Sequence, residues 1–365
     1  MKVIFITREG YALAGARIRC YNLSRELRSC GVSAEVLSFA DTLGALDGAN
    51  ESRMGLPRKL KLNLRAYKLL CADKDAIFYI QRFNYHSFAP FFASLRQGNR
   101  IILDLDDWEM RDDPRYYLGF YPSSKAHYFT GLLARRSVFC VAASRFLEGF
   151  LRGFNDNVLY LPSGVDTRLF KPAGVPLEKG NEFIFSWIGT LHRKEYIENL
   201  DFAINCFRKL REGYPDIYFD ILADGIYRED LLKLVRGWGD SHIRLKNWIH
   251  PDKVPGYLDT VSAGLFPAVS RNKFNLAKSP TKLFEYMAMG KPTVSSNAGE
   301  ASFIVRHNEN GLLAADQDGF VGAMGALVRD QPLCQRLGSS ARKTVEDKYS
   351  LKSLGLKLCQ SLKTL

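Results

Sequence analysis

SPTKLFEYMAMGKPTVSS (279–296) joins one helix to one strand. Pro280 suits a first helical turn, Leu283, Phe284, Met287 and Ala288 form an apolar face, and Gly290 followed by Pro292 stops the helix before the next apolar run. A helix feeding a short apolar strand is the beat of a parallel sheet, and that beat continues on both sides. FIFSWIG (183–189), IYFDILADG (217–225), IRLKNWI (243–249), AGLFP (263–267) and KPTVSS (291–296) are its strands. In the first half the same rhythm runs through KVIFIT (2–7), AEVLSF (34–39), AIFYIQ (76–81), RIILDL (100–105) and SVFCVAA (137–143), each gap long enough for a helix. The first helix is expected to start near Gly15, to carry Ile18, Tyr21, Asn22, Leu23 and Leu27, and to stop at Gly31. Between the halves lies LPSGVDTRLFKPAGVPLEKGNE (161–182), rich in Pro and Gly and without period. The expected architecture is α/β: two Rossmann-like, doubly wound parallel-sheet domains at 1–165 and 182–345, a linker at 166–181, and a C-terminal helix at 346–365 returning to the first domain. Such sheets bind ligands at their carboxyl ends, so function is sought at the strand-to-helix turns, facing a shared cleft.

Composition narrows the class. The chain has 365 residues, 46% hydrophobic and 25% charged, enough for two cores. Its opening MKVIFITREG is interrupted by Arg8 and Glu9 far short of a signal-peptide apolar region or a spanning helix, so neither secretion nor membrane spanning is expected. Seven scattered cysteines without a CxxC pair argue against a disulfide framework or a zinc site and fit a reducing cytoplasm. A net charge of +12 points to an anionic partner. That partner is not expected to be nucleic acid, because no basic stretch is interleaved with aromatics in a binding module.

Several positions carry chemistry. A helix starting near Ser279 presents unpaired amides and a positive dipole end, Lys282 adds a charge there, and Glu285 offers two acceptor oxygens that suit a ribose; the competing reading is a solvated helix face. DLDDWE (104–109) closes a strand, placing Asp104 and Asp106 on one side and Asp107 on the other. Gly15, after REGYALA, can bring the loop before the first helix toward a ligand or simply turn the chain, and His86 can line an acceptor or sit in the core. RMGLPRKLKLNLRAYKLL (53–70) has six basic residues and no acid. At 100° per residue Arg58, Lys61, Arg65 and Lys68 share one face, with Leu60, Leu64, Tyr67 and Cys71 beside it. Residues 57–71 therefore read either as a helix on an anionic membrane surface or as a basic face packed on the sheet by that apolar stripe.

The segment 279–296, together with SGVDTRLFKP (163–172), ADGIYREDL (223–231), IRLKNWIHPDKVPGYL (243–258) and AGEASFIVRHNENGLLAAD (298–316), resembles the group-1 (family 4) glycosyltransferases of the GT-B fold. The resemblance implies transfer of a sugar from a UDP- or GDP-linked donor to an acceptor hydroxyl, with retention, in cell-surface polysaccharide or glycolipid assembly. It implies an acceptor-side first domain and a donor-binding second one. Glu285 matches the second Glu of the family's E-x7-E motif, and Lys282 with the amides near Thr281 would face the diphosphate. Asp224 and Gly225 match a G-D-G turn, Trp248 and Ile249 the grip on the base, and Gly299 a glycine near the phosphates.

There are departures. Ala277 stands where the first Glu of the motif belongs, Ala223 replaces the first Gly of G-D-G, and Thr190 replaces an Arg, leaving Arg193 or Lys194 as the phosphate cation. Asp106 and Asp107 occupy the place of a His-Asp pair, with Asp106 assigned to the sugar; a D-x-D manganese site of the GT-A kind is the rival. Gly15 would approach the donor. The sequence thus predicts a cytoplasmic transferase that needs no metal or other cofactor, with a nucleotide-sugar donor, a glycan or lipid-linked acceptor, and a peripheral contact with the inner face of a membrane. The alternatives are a nucleotide-sugar epimerase of the same fold and a silent nucleotide- or glycan-binding scaffold, the latter suggested by Ala277.

Overall fold

Two six-stranded parallel sheets organise the chain, one in each of two units. The structure is a computed structural model that describes residues 1–46, 51, 53–108, 110, 116–117, 121–122, 125–173 and 182–365. The first unit comprises Met1–Ser163, Ala277–Ser279 and Leu351–Leu365; the second comprises Gly164–Leu276 and Pro280–Ser350.

The first unit's sheet uses β1 (Lys2–Thr7), β2 (Ser33–Ser38), β3 (Ile77–Gln81), β4 (Ile101–Leu105), β7 (Phe139–Ala142) and β8 (Val158–Tyr160), in the order β2-β1-β3-β4-β7-β8. A two-residue antiparallel pair, β5 (Tyr116–Tyr117) and β6 (Tyr121–Pro122), stands apart from it. Because helices cover both faces, β3, β4 and β7 are buried along their whole length, which is why they read as unbroken apolar runs. Leu62, Ala66 and Leu70 pack on one face, and Leu354, Leu358 and Leu362 of the C-terminal helix Leu351–Lys363 pack on the other, beside Val3 and Phe5.

Two local readings are corrected here. The first helix is not regular: Ala14–Ala16 is α-helical, Arg17–Asn22 is π-helical and Leu23–Ser29 is α-helical again. The extra residue per turn shifts the register, so Arg19 and Cys20 are buried while Ile18 is only half-buried. In the helix Leu56–Leu70 the packed stripe is Leu62, Ala66 and Leu70. Leu60 and Leu64, which one of the two readings of this segment packs on the sheet, are 57% and 64% exposed and lie with Arg58, Lys61, Arg65 and Lys68 on the solvent side.

The second unit's sheet uses β9 (Phe183–Thr190), β10 (Ile217–Asp224), β11 (Ile243–Lys246), β12 (Ala263–Phe266), β13 (Thr293–Ser296) and β14 (Leu312–Ala314), in the order β11-β10-β9-β12-β13-β14. The direction of winding reverses between β9 and β12, and ligands of doubly wound sheets bind at such a reversal. Of the expected linker 166–181, residues 166–173 belong to the body of this unit, with Phe170 buried and Val165 bridged to Ser350; 174–181 lie outside the described residues, as does Glu109. The Arg342 guanidinium fastens this stretch by donating to the carbonyls of Thr167, Phe170 and Ala288.

Candidate functional site

The helix Thr281–Ala288 is laid on the second sheet by two contacts. Tyr286 is fully buried and its hydroxyl donates to the Ser186 carbonyl at 2.9 Å, while a Cβ at Gly264 would overlap its ring. The helix packs this low only because position 264 has no side chain. Its N-terminus follows Pro280 and has no side-chain cap; the Ser279 hydroxyl instead accepts from the Ser163 amide at 2.9 Å. The first amides are thus left for an anion, with Thr281 at the first helical position.

Lys282 springs from this turn and runs back over β9. A Cβ at Gly189 would overlap its Cε, so the glycine at the strand's end makes room for the lysine. The ammonium lies 5.8 Å from the centroids of both Trp187 and Tyr196 and makes no hydrogen bond or ion pair among the described residues. Burial against these rings lowers its pKa, and the nearby Glu285 carboxylate only partly offsets that. A cation so placed is under-solvated and regains favourable energy when an anion arrives. Tyr196 links it to a second cation: its ring meets Phe274 at 5.9 Å, and the Arg193 guanidinium stacks over Phe274 at 4.2 Å. Lys194, at the N-cap of the helix Glu195–Arg211, is exposed and outside this aromatic cluster. The geometry thus joins Arg193, and not Lys194, to Lys282.

Glu285 follows one turn after Lys282 and is half-buried. Thr190 and Asp224 are register partners at the ends of β9 and β10. Gly225, at φ 132°, lies so close to the Leu191 backbone that a Cβ would stand 2.6 Å from its carbonyl oxygen. Gly299, at φ 55°, likewise brings its turn against Asn275, whose carbonyl oxygen would be 2.8 Å from a Cβ. Both glycines are required by backbone packing that sets the turns. Beyond β11, Trp248 is 54% exposed with its ring nearly perpendicular to that of His250, and Ile249 is half-buried against the core. Ala277 is fully buried in an apolar core counted with the first unit, so a glutamate at that position would be desolvated rather than presented to a ligand.

In the first unit, Asp104 is fully buried and bidentate with Arg19, at 2.8 Å to Nε and 2.6 Å to Nη2; Arg19 also donates to the Leu161 carbonyl at 2.7 Å. Asp106 lies 2.9 Å from Arg82 Nε and accepts from Gln81 Nε2 at 3.0 Å. Its pKa is pushed up to about 6, by burial first, with Arg82 opposing. Both carboxylates of the D-x-D pattern therefore face guanidinium groups. Gly15 has a local reason: a Cβ there would stand 3.0 Å from Arg82 Nη2 and 3.3 Å from a Glu9 oxygen. His86 is buried, with Nε2 3.0 Å from the Gln81 carbonyl oxygen, and so belongs to the core. Arg19, Arg82 and Glu9 were not singled out in the sequence, where no local pattern marks them.

Residues 182–330 match the family model described as glycosyl transferases group 1. Among curated proteins, the chain is 26% identical over 231 residues to a GDP-mannose-dependent alpha-(1-6)-phosphatidylinositol monomannoside mannosyltransferase of Mycobacterium tuberculosis, which covers 60% of this chain but only 59% of that protein. It is 27% identical over 143 residues to the lipopolysaccharide core biosynthesis glycosyltransferase LpsE of Rhizobium meliloti, covering 38% of this chain and 40% of that one. Among solved structures, Anabaena Alr3699/HepE in complex with UDP and glucose superposes over the whole of both chains with a TM-score of 0.76 at 15% identity. Sucrose-phosphate synthase from Thermosynechococcus elongatus does so over 100% and 99% with 0.74 at 13%. Two doubly wound parallel sheets, superposable over their whole length on these solved structures, give the chain the GT-B fold, and its second sheet lies in the stretch that is similar to the group-1 glycosyl transferases.

Proposed function

We propose that the protein transfers a sugar from a UDP- or GDP-linked donor to an acceptor hydroxyl, with retention, and that its second unit holds the nucleotide. The observation that carries this reading is Lys282: an ammonium kept against aromatic rings, without an ion-pair partner among the described residues, beside an uncapped helix N-terminus and one turn before Glu285. Bond cleavage places negative charge on the departing diphosphate, and Lys282, Arg193 and the amides at Thr281 are the groups that stabilise it. Glu285 accepts the ribose hydroxyls, Trp248 and Ile249 flank the base, and the turns at Asp224, Gly225 and Gly299 shape the pocket's backbone. Asp106 is assigned to positive charge at the anomeric carbon, and the departing phosphate oxygen takes the acceptor proton. No metal is assigned a role, since the carboxylates that would hold it are matched to Arg19 and Arg82.

The names of the curated relatives support a glycan or glycolipid acceptor in cell-surface assembly. An acceptor of that kind suits a cytoplasmic protein held at the inner face of a membrane. No helix among the described residues is long and apolar enough to cross one. The helix Leu56–Leu70 supports peripheral contact better than its sequence suggested, because Leu56, Leu60, Leu64 and Leu69 are exposed next to four exposed cations.

The reading is tested by incubating the protein with UDP-glucose, GDP-mannose and a wider set of UDP-, GDP- and TDP-sugars, with and without EDTA, and detecting transfer or hydrolysis by mass spectrometry. Turnover of a donor that survives EDTA is expected. Binding without turnover of any donor would favour a scaffold, conversion of the donor sugar without release of nucleotide would favour an epimerase, and turnover restored only by manganese would return the D-x-D pair to a metal role.

A further inference from the structure

Beyond the strand ends of the first sheet, Arg82 occupies a place that steric preference alone would deny it. Its φ of 56° puts an arginine in the left-handed region, and it is one of two non-glycine residues with positive φ among the described residues. The conformation is enforced from both sides: its amide donates to the Asp104 carbonyl at 2.7 Å, extending the β3–β4 ladder by one residue, and its carbonyl accepts from the Ser87 hydroxyl at 3.1 Å. The turned backbone sends a nearly buried guanidinium between two carboxylates, with Nη2 3.1 Å from Glu9 and Nε 2.9 Å from Asp106. Gly15 leaves the space this arrangement fills. Strain that a fold maintains against its neighbours' preferences is concentrated at functional sites.

We propose that Arg82 is a positioning residue, clamped between Glu9 and Asp106, that holds the Asp106 carboxylate in one place at the end of β4. The inference rests on the reading of Asp106 as the carboxylate that acts on the sugar. Asp106 needs such a partner because its surroundings otherwise disfavour its charge. Burial pushes its pKa up; Asp104 and Asp107, on its own segment, push the same way; Arg82, from the end of β3, and Arg19, from the π-helical turn, oppose them. Gln81 contributes a neutral hydrogen bond, and Glu9 pairs with Arg82. Arg19 is already bidentate with Asp104, so Arg82 is the cation that belongs to Asp106.

The test uses the full chain labelled with carboxyl-carbon-13 aspartate, its signals followed by NMR from pH 4 to pH 8, with Asp106→Asn identifying the Asp106 signal. Arg82→Gly removes the cation and suits the left-handed backbone. Arg82→Gln removes the charge but keeps the length, so a glycine variant that does not fold leaves the test standing. The Asp106 midpoint is expected to rise by about one unit or more in either neutral variant and to stay close to native in Arg82→Lys. Affinity for UDP and GDP, read by calorimetry, is expected to be unchanged, and hydrolysis of UDP-glucose or GDP-mannose, whichever the native protein cleaves, to fall about tenfold or more in kcat. An Asp106 midpoint that does not move in a folded neutral variant overturns the proposal, as does a loss of nucleotide affinity as large as the loss of turnover. If the midpoint moves and the native protein cleaves neither sugar, the clamp stands and the assignment of a donor fails separately.

Discussion

Lys282→Met should separate what the lysine costs the unliganded fold from what it gives a ligand. Methionine fills the slot that Gly189 leaves open over Trp187 and Tyr196, so packing is largely kept. Two cation–π contacts at 5.8 Å are lost, worth about 0.5 kcal/mol each. Against that, the variant removes an ammonium whose lowered pKa shows that burial disfavours its charge. The unliganded protein should therefore keep its stability or gain slightly. The bound state loses charge-assisted hydrogen bonds to the diphosphate, about 1.5–3 kcal/mol, or roughly a 10- to 150-fold weaker Kd. Calorimetry with UDP and GDP measures the second quantity and thermal unfolding the first. A folded Lys282→Met protein that binds both nucleotides as tightly as the parent refutes the reasoning, and so does one that loses stability and no affinity.

Three further outcomes follow from the same geometry. Gly189→Ala should displace the Lys282 side chain and weaken UDP or GDP binding by about 1–3 kcal/mol in calorimetry, as overpacking requires; unaltered affinity would mean that Lys282 does not meet the phosphates. For Asp106 the folded pKa of about 6 lies above the ordinary 3.8, so its contribution to stability is full below pH 4 and is lost as pH rises through 6. Asp106→Asn should accordingly raise the thermal midpoint at pH 8, by up to about 3 kcal/mol of stability, with no gain at pH 4, while lowering turnover; an equal gain at both pH values would contradict the ionisation argument. Replacing Leu60 and Leu64 by Ser should weaken co-sedimentation with anionic vesicles even at 0.5 M salt, whereas replacing Arg58, Lys61, Arg65 and Lys68 by Ser should weaken it mainly at low salt. Absence of vesicle binding by the parent chain at low salt would remove the membrane from the account.

The sheets were legible because buried parallel strands read as unbroken apolar runs, and the runs at 2–7, 76–81, 100–105, 183–189 and 217–225 each match a strand to within a residue. The three-residue edge strands Val158–Tyr160 and Leu312–Ala314 escaped, being too short to show a period. For the helix Leu56–Leu70, leucines at 56, 60, 62, 64, 69 and 70 lie around much of the cylinder, so the stripe that packs is chosen by the sheet and not by the period. Lys282 and Glu285 stood out as candidates because helix start, charge and motif coincide within a few residues. The grouping of Arg193 with Lys282 could not, since it passes through Phe274, distant in sequence from both Trp187 and Arg193. Arg19 was hidden by the π-helical shift and Arg82 by a backbone conformation that no sequence rule assigns to arginine.

The central claim is that the second unit holds a nucleoside diphosphate through the helix Thr281–Ala288, and calorimetric titration of UDP and GDP into the parent chain and into Glu285→Ala tests it most directly. The account predicts that one nucleotide binds the parent and that the variant, folded as judged by circular dichroism, binds it about 1–3 kcal/mol more weakly, the loss expected when a carboxylate no longer accepts ribose hydroxyls. Equal affinity in the two proteins, or no binding of either nucleotide to the parent, would contradict it and leave Glu285 a helix-surface residue.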